Sequence, residues 1–232
     1  MSKAEVGTSK VKRTKMSNVT SDVSGKRLAP EERREQILRA TLEIIAEGGF
    51  GFTMREVAQK LNVTHSLVFR YFQSKEDLLD AVYESVFAGS FTPEQRRLIA
   101  RTDTDILRKW VEFYQSYVEQ IYNRHWTRIF ITSAMQNQLI SRRYLDGVVE
   151  PVVQHLSADT LNYALGDKRA SEEENLLSQE LAWSLHSSFF YTGIRRWVYE
   201  IPTPVDISSF IQPKVIAHFE SAKIVLKSAH RK

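Results

Sequence analysis

The sequence predicts an all-α fold, and three observations lead to it. Helix-forming residues dominate, while alternating runs of β-branched residues are hard to find. Apolar residues recur at three- and four-residue spacing, as in Leu38, Leu42 and Ile45 beside Ile37, Ala40 and Ile44. Capping pairs mark helix starts, notably Thr53 with Glu56 and Ser171 with Glu174.

The first helix is expected to begin near Pro30, because proline suits a first turn and Glu31 and Glu32 favour the positive end of the helix dipole. Gly48-Gly49 ends it. Two short helices follow, one capped by Thr53 with Val57, Ala58 and Leu61 inward, the other capped by Thr64 with Val68 and Phe72 inward. Asn62 stands at the turn between them, where left-handed backbone is needed and asparagine tolerates it. Ser74 caps a helix to about Phe87, with Leu78, Leu79, Val82 and Val86 inward. Further helices are expected over 103–122, over 125–138, and as one or two segments over 141–165, disturbed around Gly147 and Pro151. Gly166-Asp167 breaks the chain, Ser171 starts a long helix to about Tyr199, and a last helix covers about 207–227 with Pro213 near its start.

Composition bounds the rest. The 232 residues are 42% hydrophobic and include four Trp, nine Tyr and twelve Phe, enough to bury a sizeable core. Cysteine is absent, which excludes disulfides and thiolate metal sites and is compatible with a reducing compartment. No apolar run approaches the roughly 20 residues that span a membrane, and the opening residues lack the apolar core of a signal peptide. A soluble cytoplasmic protein is therefore expected. The formal net charge of +4 is unevenly placed. Lys3, Lys10, Lys12, Arg13, Lys15, Lys26 and Arg27 face only Glu5 and Asp22 within residues 1–29, which have no aromatics and no helical periodicity. That segment is expected to be a disordered basic arm, serving either as a solubilising tail or as a salt-dependent grip on phosphates.

Why should a helix stop after about eight residues only for another to start at once? Short helices are marginal alone, and each new terminus leaves backbone groups unpaired. The angle between the pieces is the purpose: a helix-turn-helix pushes its second helix outward, where its N-terminal end can enter a DNA major groove. The resemblance extends beyond the bare motif. "ILRA" and "IIAEGG" in the first helix, Phe52-Thr53, the run "VAQKLNVTHSLVFRYFQSKEDLL" and Val82 resemble the DNA-binding domain of the TetR/AcrR family of transcriptional regulators, ungapped over about residues 33–87.

That resemblance implies an N-terminal three-helix DNA-binding domain over residues 30–87 and, over residues 88–232, a larger helical domain for effector binding and homodimerisation. It implies a phosphate contact from Thr53, a base or phosphate contact from Arg55, groove contacts from Thr64, His65 and Ser66, and a thymine methyl contact from Leu67. Arg70 is the candidate for a bidentate guanine contact, while Tyr71 and Lys75 resemble the residues that hold flanking phosphates. Phe69 stands where the family usually carries Tyr, so one phosphate hydrogen bond is lost there, and Asn62 replaces the usual turn glycine. The implied partners are double-stranded DNA with a pseudo-palindromic operator, a second copy joined through the last two helices, and a small, largely apolar or aromatic effector. The implied role is a repressor released by that effector.

The larger half is dense in aromatics. Phe113, Tyr117, Trp126, Phe130, Trp183, His186 and Phe190 are candidates to line an effector pocket, although aromatic stripes at helical spacing are more commonly core. Trp183, Phe190, Val215, Ile216 and Phe219 offer apolar material for a dimer surface, and Arg128 and Arg195 are either carboxylate anchors or surface charges. An enzyme is the rival class, but the six His show no metal-ligand spacing and no nucleophile elbow or nucleotide fingerprint appears. No cofactor and no metal are expected. A DNA-architectural protein without effector is the second rival, and it would use the same arm and motif.

Overall fold

The computed structural model describes residues 28–87, 89, 91–102, 105–136, 138–203 and 206–230. Up to residue 27, the basic arm lies outside the described residues. Regular structure among the described residues is entirely helical, with no strand. In order the helices are α1 (Pro30–Gly48), α2 (Met54–Lys60), α3 (His65–Tyr71), α4 (Lys75–Val86), α5 (Pro93–Ile99), α6 (Ile106–Ile121), α7 (Arg124–Gln136), α8 (Gln138–Tyr144), a π-helical stretch (Leu145–Val149), α9 (Glu150–Leu165), α10 (Glu172–Trp197) and α11 (Ser208–Ala229). No helix among the described residues is long and apolar enough to cross a membrane.

The expected punctuation holds at most positions. Thr53 and Glu56 form a reciprocal capping box on α2, Ser74 accepts from the Asp77 N–H at the start of α4, and Ser171 and Glu174 box the start of α10. Gly49 ends α1 at φ 83°, a conformation only glycine adopts freely. One helix escaped the sequence: α5, which has proline at its first position and its own capping box, with Gln95 N–H donating to Thr92 Oγ1 at 3.2 Å and Thr92 N–H to Gln95 Oε1 at 2.8 Å. The disturbance expected near Gly147 and Pro151 is the π-helical stretch. Pro151 has no N–H for the carbonyl of Gly147, and a wider turn accommodates its ring without ending the helix.

Packing ties the larger part together through one buried cation. Lys109 Nζ lies 2.5 Å from Asp159 Oδ2 and 2.7 Å from the Arg101 carbonyl, and Trp110 Nε1 donates to the same Asp159 oxygen at 2.8 Å. This joins α6, α9 and the residues after α5 at a site where Lys109 is only 2% exposed. Removing one partner of such a pair typically costs about 3–5 kcal/mol, because the other charge stays buried.

The dimer-surface expectation needs correction for two residues. Val215 and Phe219 are fully buried inside the protomer, on the face of α11 that packs against α6 and α9. Periodicity marks an apolar stripe but not which partner covers it. Trp183 and Phe190 are half-buried against the same core, whereas Ile216 is exposed.

Two histidines are sealed in this core. Thr160 Oγ1 gives its proton to the Leu156 carbonyl at 2.7 Å, so His218 Nε2, 2.9 Å away, must be the donor to Thr160. Burial lowers the pKa of His218 from its ordinary 6.5 to about 4, and does the same to His186. As pH falls from about 6.5 to about 4 the unfolded chain takes up these protons first, so stability declines across that window. His218→Gln keeps an N–H donor and removes the titration. Thermal unfolding between pH 7 and 4 is expected to show a shallower loss of Tm for this variant, and an unchanged slope would contradict the assignment.

Candidate nucleic-acid interface

The turn between α2 and α3 is built by backbone hydrogen bonds: Asn62 N–H to Gln59 O at 3.0 Å and Val63 N–H to Ala58 O at 3.0 Å. Asn62 takes φ 52°, the left-handed geometry expected of it. Beyond the turn, α3 buries Val68 alone among its seven residues, and Phe72 at its C-terminal end is buried as well. Val68 and Phe72 are the plugs. His65, Ser66, Phe69 and Arg70 are exposed, and Leu67 and Tyr71 are half-buried. The helix is thus seated by one edge and open on the others.

Each candidate contact has a definite local setting. Thr53 is exposed, its N–H donating to Glu56 Oε2 at 2.6 Å while its hydroxyl accepts from Glu56 N–H at 3.3 Å. Hydrogen bonds from Thr53, backbone first and then hydroxyl, hold the Glu56 carboxyl below its ordinary value. Arg55 and Arg70 are exposed and make no ion pair among the described residues. Thr64 departs from expectation. It occupies the N-cap position with extended backbone but its hydroxyl makes no capping bond, and instead lies 3.2 Å from Ser66 Oγ. The rings of His65 and Phe69 meet edge to face with centroids 4.6 Å apart, and Phe69 is 38% exposed. One turn of α3 therefore carries an outward aromatic pair.

Lys75 is committed to the frame as well as being near it. Its ammonium donates to the carbonyls of Phe50 at 2.6 Å and Phe52 at 2.7 Å and sits 4.5 Å from the Phe52 ring centroid. Two of its three protons thus tie α4 to the loop between α1 and α2.

The seven candidate pocket residues converge, but as packed rings. Phe113 stacks on Tyr117 at 5.2 Å, Tyr117 meets His186 at 5.4 Å, Trp183 meets His186 at 6.4 Å, Trp126 stacks on Phe130 at 5.1 Å and meets Phe190 at 5.8 Å. None of the seven lines any of the clefts found between α9 and α11, between α4 and α8, or beside α5. One detail is unusual in so apolar a cluster: the Trp126 indole N–H is buried without a hydrogen-bond partner among the described residues. No group of three or more His, Cys, Asp or Glu able to hold a metal occurs among the described residues.

Arg128 and Gln136 lie far from the helix-turn-helix in sequence, yet both reach the C-terminal end of α1 and the loop that follows it. Arg128 Nε donates to Ala46 O at 2.8 Å and its Nη1 to Trp197 O at 3.2 Å, and Gln136 Oε1 accepts from Phe50 N–H at 2.8 Å. These bonds span 60 residues or more of sequence, and no local motif announces them.

The geometry defines a class: an all-α protein presenting a helix-turn-helix, with a larger helical assembly behind it. Residues 37–82 match the family model of the bacterial regulatory proteins of the tetR family. A BetI HTH-type transcriptional regulator of Burkholderia ambifaria is 40% identical over 75 residues, which are 32% of this chain and 39% of that protein. Its counterpart in Burkholderia mallei is 38% identical over 74 residues. The match thus spans only about two-fifths of these relatives. Among solved structures, the fatty acid degradation regulator FadR of Bacillus halodurans superposes with TM-score 0.59 at 14% identity, covering 84% of this chain and 97% of that one. A TetR-like transcriptional regulator from Rhodococcus sp. RHA1 gives 0.56 at 14% identity, covering 88% and 99%. The likeness to the tetR family thus rests on the N-terminal segment, and the fold of the chain is similar to that of these helical structures.

Lys75→Met isolates the framing role of the ammonium. Each lost charge-assisted bond contributes about 1.5–3 kcal/mol, so the Tm without DNA is expected to fall by several degrees. An unchanged Tm together with weakened DNA binding would mean that Lys75 serves phosphates alone.

Proposed function

We propose that the chain is a homodimeric, sequence-specific DNA-binding transcriptional regulator, acting as a repressor that a small apolar or aromatic effector releases. Residues 30–87 serve as the DNA-binding domain and residues 88–232 as the effector-binding and dimerisation domain. The observation that supports it most is the seating of α3, which is held by Val68 and Phe72 and leaves His65, Ser66, Phe69 and Arg70 open to a partner.

In this reading α3 lies in a major groove. Arg70 pairs with guanine, Leu67 meets a thymine methyl, and Thr64, His65 and Ser66 reach neighbouring base edges. Thr53, Arg55, Tyr71 and the remaining proton of Lys75 hold phosphates and fix orientation. Phe69 supplies an apolar rim. Two copies join through α10 and α11, which leave Leu176, Tyr191, Phe210, Ile216 and Ile224 exposed, and the recognition helices then meet successive grooves of a pseudo-palindrome about 34–36 Å or somewhat more apart. The effector enters the aromatic core by displacing rings, and the partnerless Trp126 N–H gives it one acceptor-seeking handle. To release DNA it must bind the non-binding arrangement more tightly.

Arg70→Ala is the test. Loss of a bidentate guanine contact is expected to weaken operator binding by about 1–3 kcal/mol and to relax preference at one position per half-site, while the salt slope barely changes. Gel-shift titration against the selected operator and its single-base variants reads both effects. Full affinity and specificity in the variant would contradict the assignment, and uniform binding of all DNA by the unaltered protein would favour an architectural role.

A further inference from the structure

The C-terminal ends of two distant helices meet at one side chain. The last carbonyls of a helix lack intrahelical partners and carry the negative end of its dipole. At the end of α10, Val198 and Tyr199 N–H both return to Ile194 O and Ile201 N–H returns to Arg195 O. Trp197 O is left outside that wrap, and Arg128 Nη1 takes it at 3.2 Å. At the end of α1, Gly49 N–H returns to Ile45 O, and the next carbonyl, Ala46 O, accepts from Arg128 Nε at 2.8 Å. Arg128 makes no ion pair among the described residues, so its charge is met by two helix ends rather than by a carboxylate.

The approach that allows this is built in. A Cβ at Gly193 would lie 2.9 Å from Thr127 Oγ1 and 3.3 Å from the Trp197 ring, so glycine lets α10 press against α7 one residue from Arg128. From Ala46 the connection continues toward the recognition helix. Gln136, on the same α7, takes Phe50 N–H, and Lys75 takes Phe50 O and Phe52 O, which binds the α1–α2 loop to both α7 and α4.

We propose that Arg128 is the positioning residue that sets the separation of the two recognition helices. It fixes the DNA-reading helices to α10, the helix through which the dimer forms in the reading above, on which this inference rests. A planar guanidinium with donors on two edges can hold two carbonyls at a set angle, and an ammonium cannot reproduce that fork. With Arg128 removed, each DNA-binding domain pivots on its remaining contacts, and the two α3 helices no longer hold one spacing.

Two measurements test it. The first selects an operator for the unaltered protein and then compares binding to operators whose half-sites are moved by one base pair, which shifts a half-site by about 3.4 Å and rotates it by about 35°. The unaltered protein is expected to lose at least about tenfold in affinity on that change, and Arg128→Gln less than about threefold, with Arg128→Lys between. The second uses the absence of cysteine: Gln73→Cys, at an exposed position just after α3, carries a spin label, and the label-to-label distance distribution in the free dimer is expected to broaden when Arg128→Gln is added, at unchanged dimer content. If the unaltered protein selects no two-fold symmetric site, or forms no dimer, the regulator reading fails and this inference falls with it. If it selects one, and Arg128→Gln keeps the same spacing discrimination and the same distance distribution, Arg128 does not set the separation.

Discussion

A seven-residue helix does not persist in water, and everything proposed for this protein depends on α3 being held by something else. Helix nucleation is unfavourable and a segment this short gains too few backbone bonds to offset it. What holds α3 is the insertion of Val68 and Phe72 into the core under it, the left-handed turn at Asn62 that sets its direction, and a frame stiffened by the Lys75 ammonium across the carbonyls of Phe50 and Phe52. The arrangement reserves two side chains for anchoring and frees the rest.

The same economy governs the larger part. Its aromatic rings contact each other so closely that they are core before they are anything else, and an effector would have to separate them. Such a core resists small distortions, so a ligand that enters must shift whole elements, and the bonds of Arg128 show where a shift of α10 would be felt at α1. The sealed histidines belong to this logic too, since burial disfavours the charged forms of His186 and His218.

How much of this could be read in the sequence follows from the range of the interactions. The cap of α2 at Thr53, the turn at Asn62, the Ser74 cap and the Ser171 box all act over three or four residues, and each was legible. The box of Thr92 and Gln95 was equally local and could have revealed α5, whose seven residues are too few for a periodic signal. Thr64 looked like a cap by type, but whether a hydroxyl turns to the helix or to Ser66 is a rotamer matter that residue identity leaves open. Val215 and Phe219 read correctly as apolar but wrongly as interface, because periodicity cannot separate burial within a protomer from burial between two. Arg128, Gln136 and Lys75 bond across 23 to 86 residues, and only the folded chain brings those groups together. The placement of the outward residues on α3 was legible once the motif was recognised, since two buried plugs four residues apart fix which faces remain.

The most direct measurement of the central claim is hydroxyl-radical footprinting of the protein itself, with and without a duplex it binds. If α3 is the surface that DNA covers, oxidation of His65, Leu67, Phe69 and Tyr71 falls on DNA binding, while that of Met135 on α7 and Leu139 on α8, both exposed, is unchanged. Unaltered oxidation along α3 in a saturated complex would contradict it.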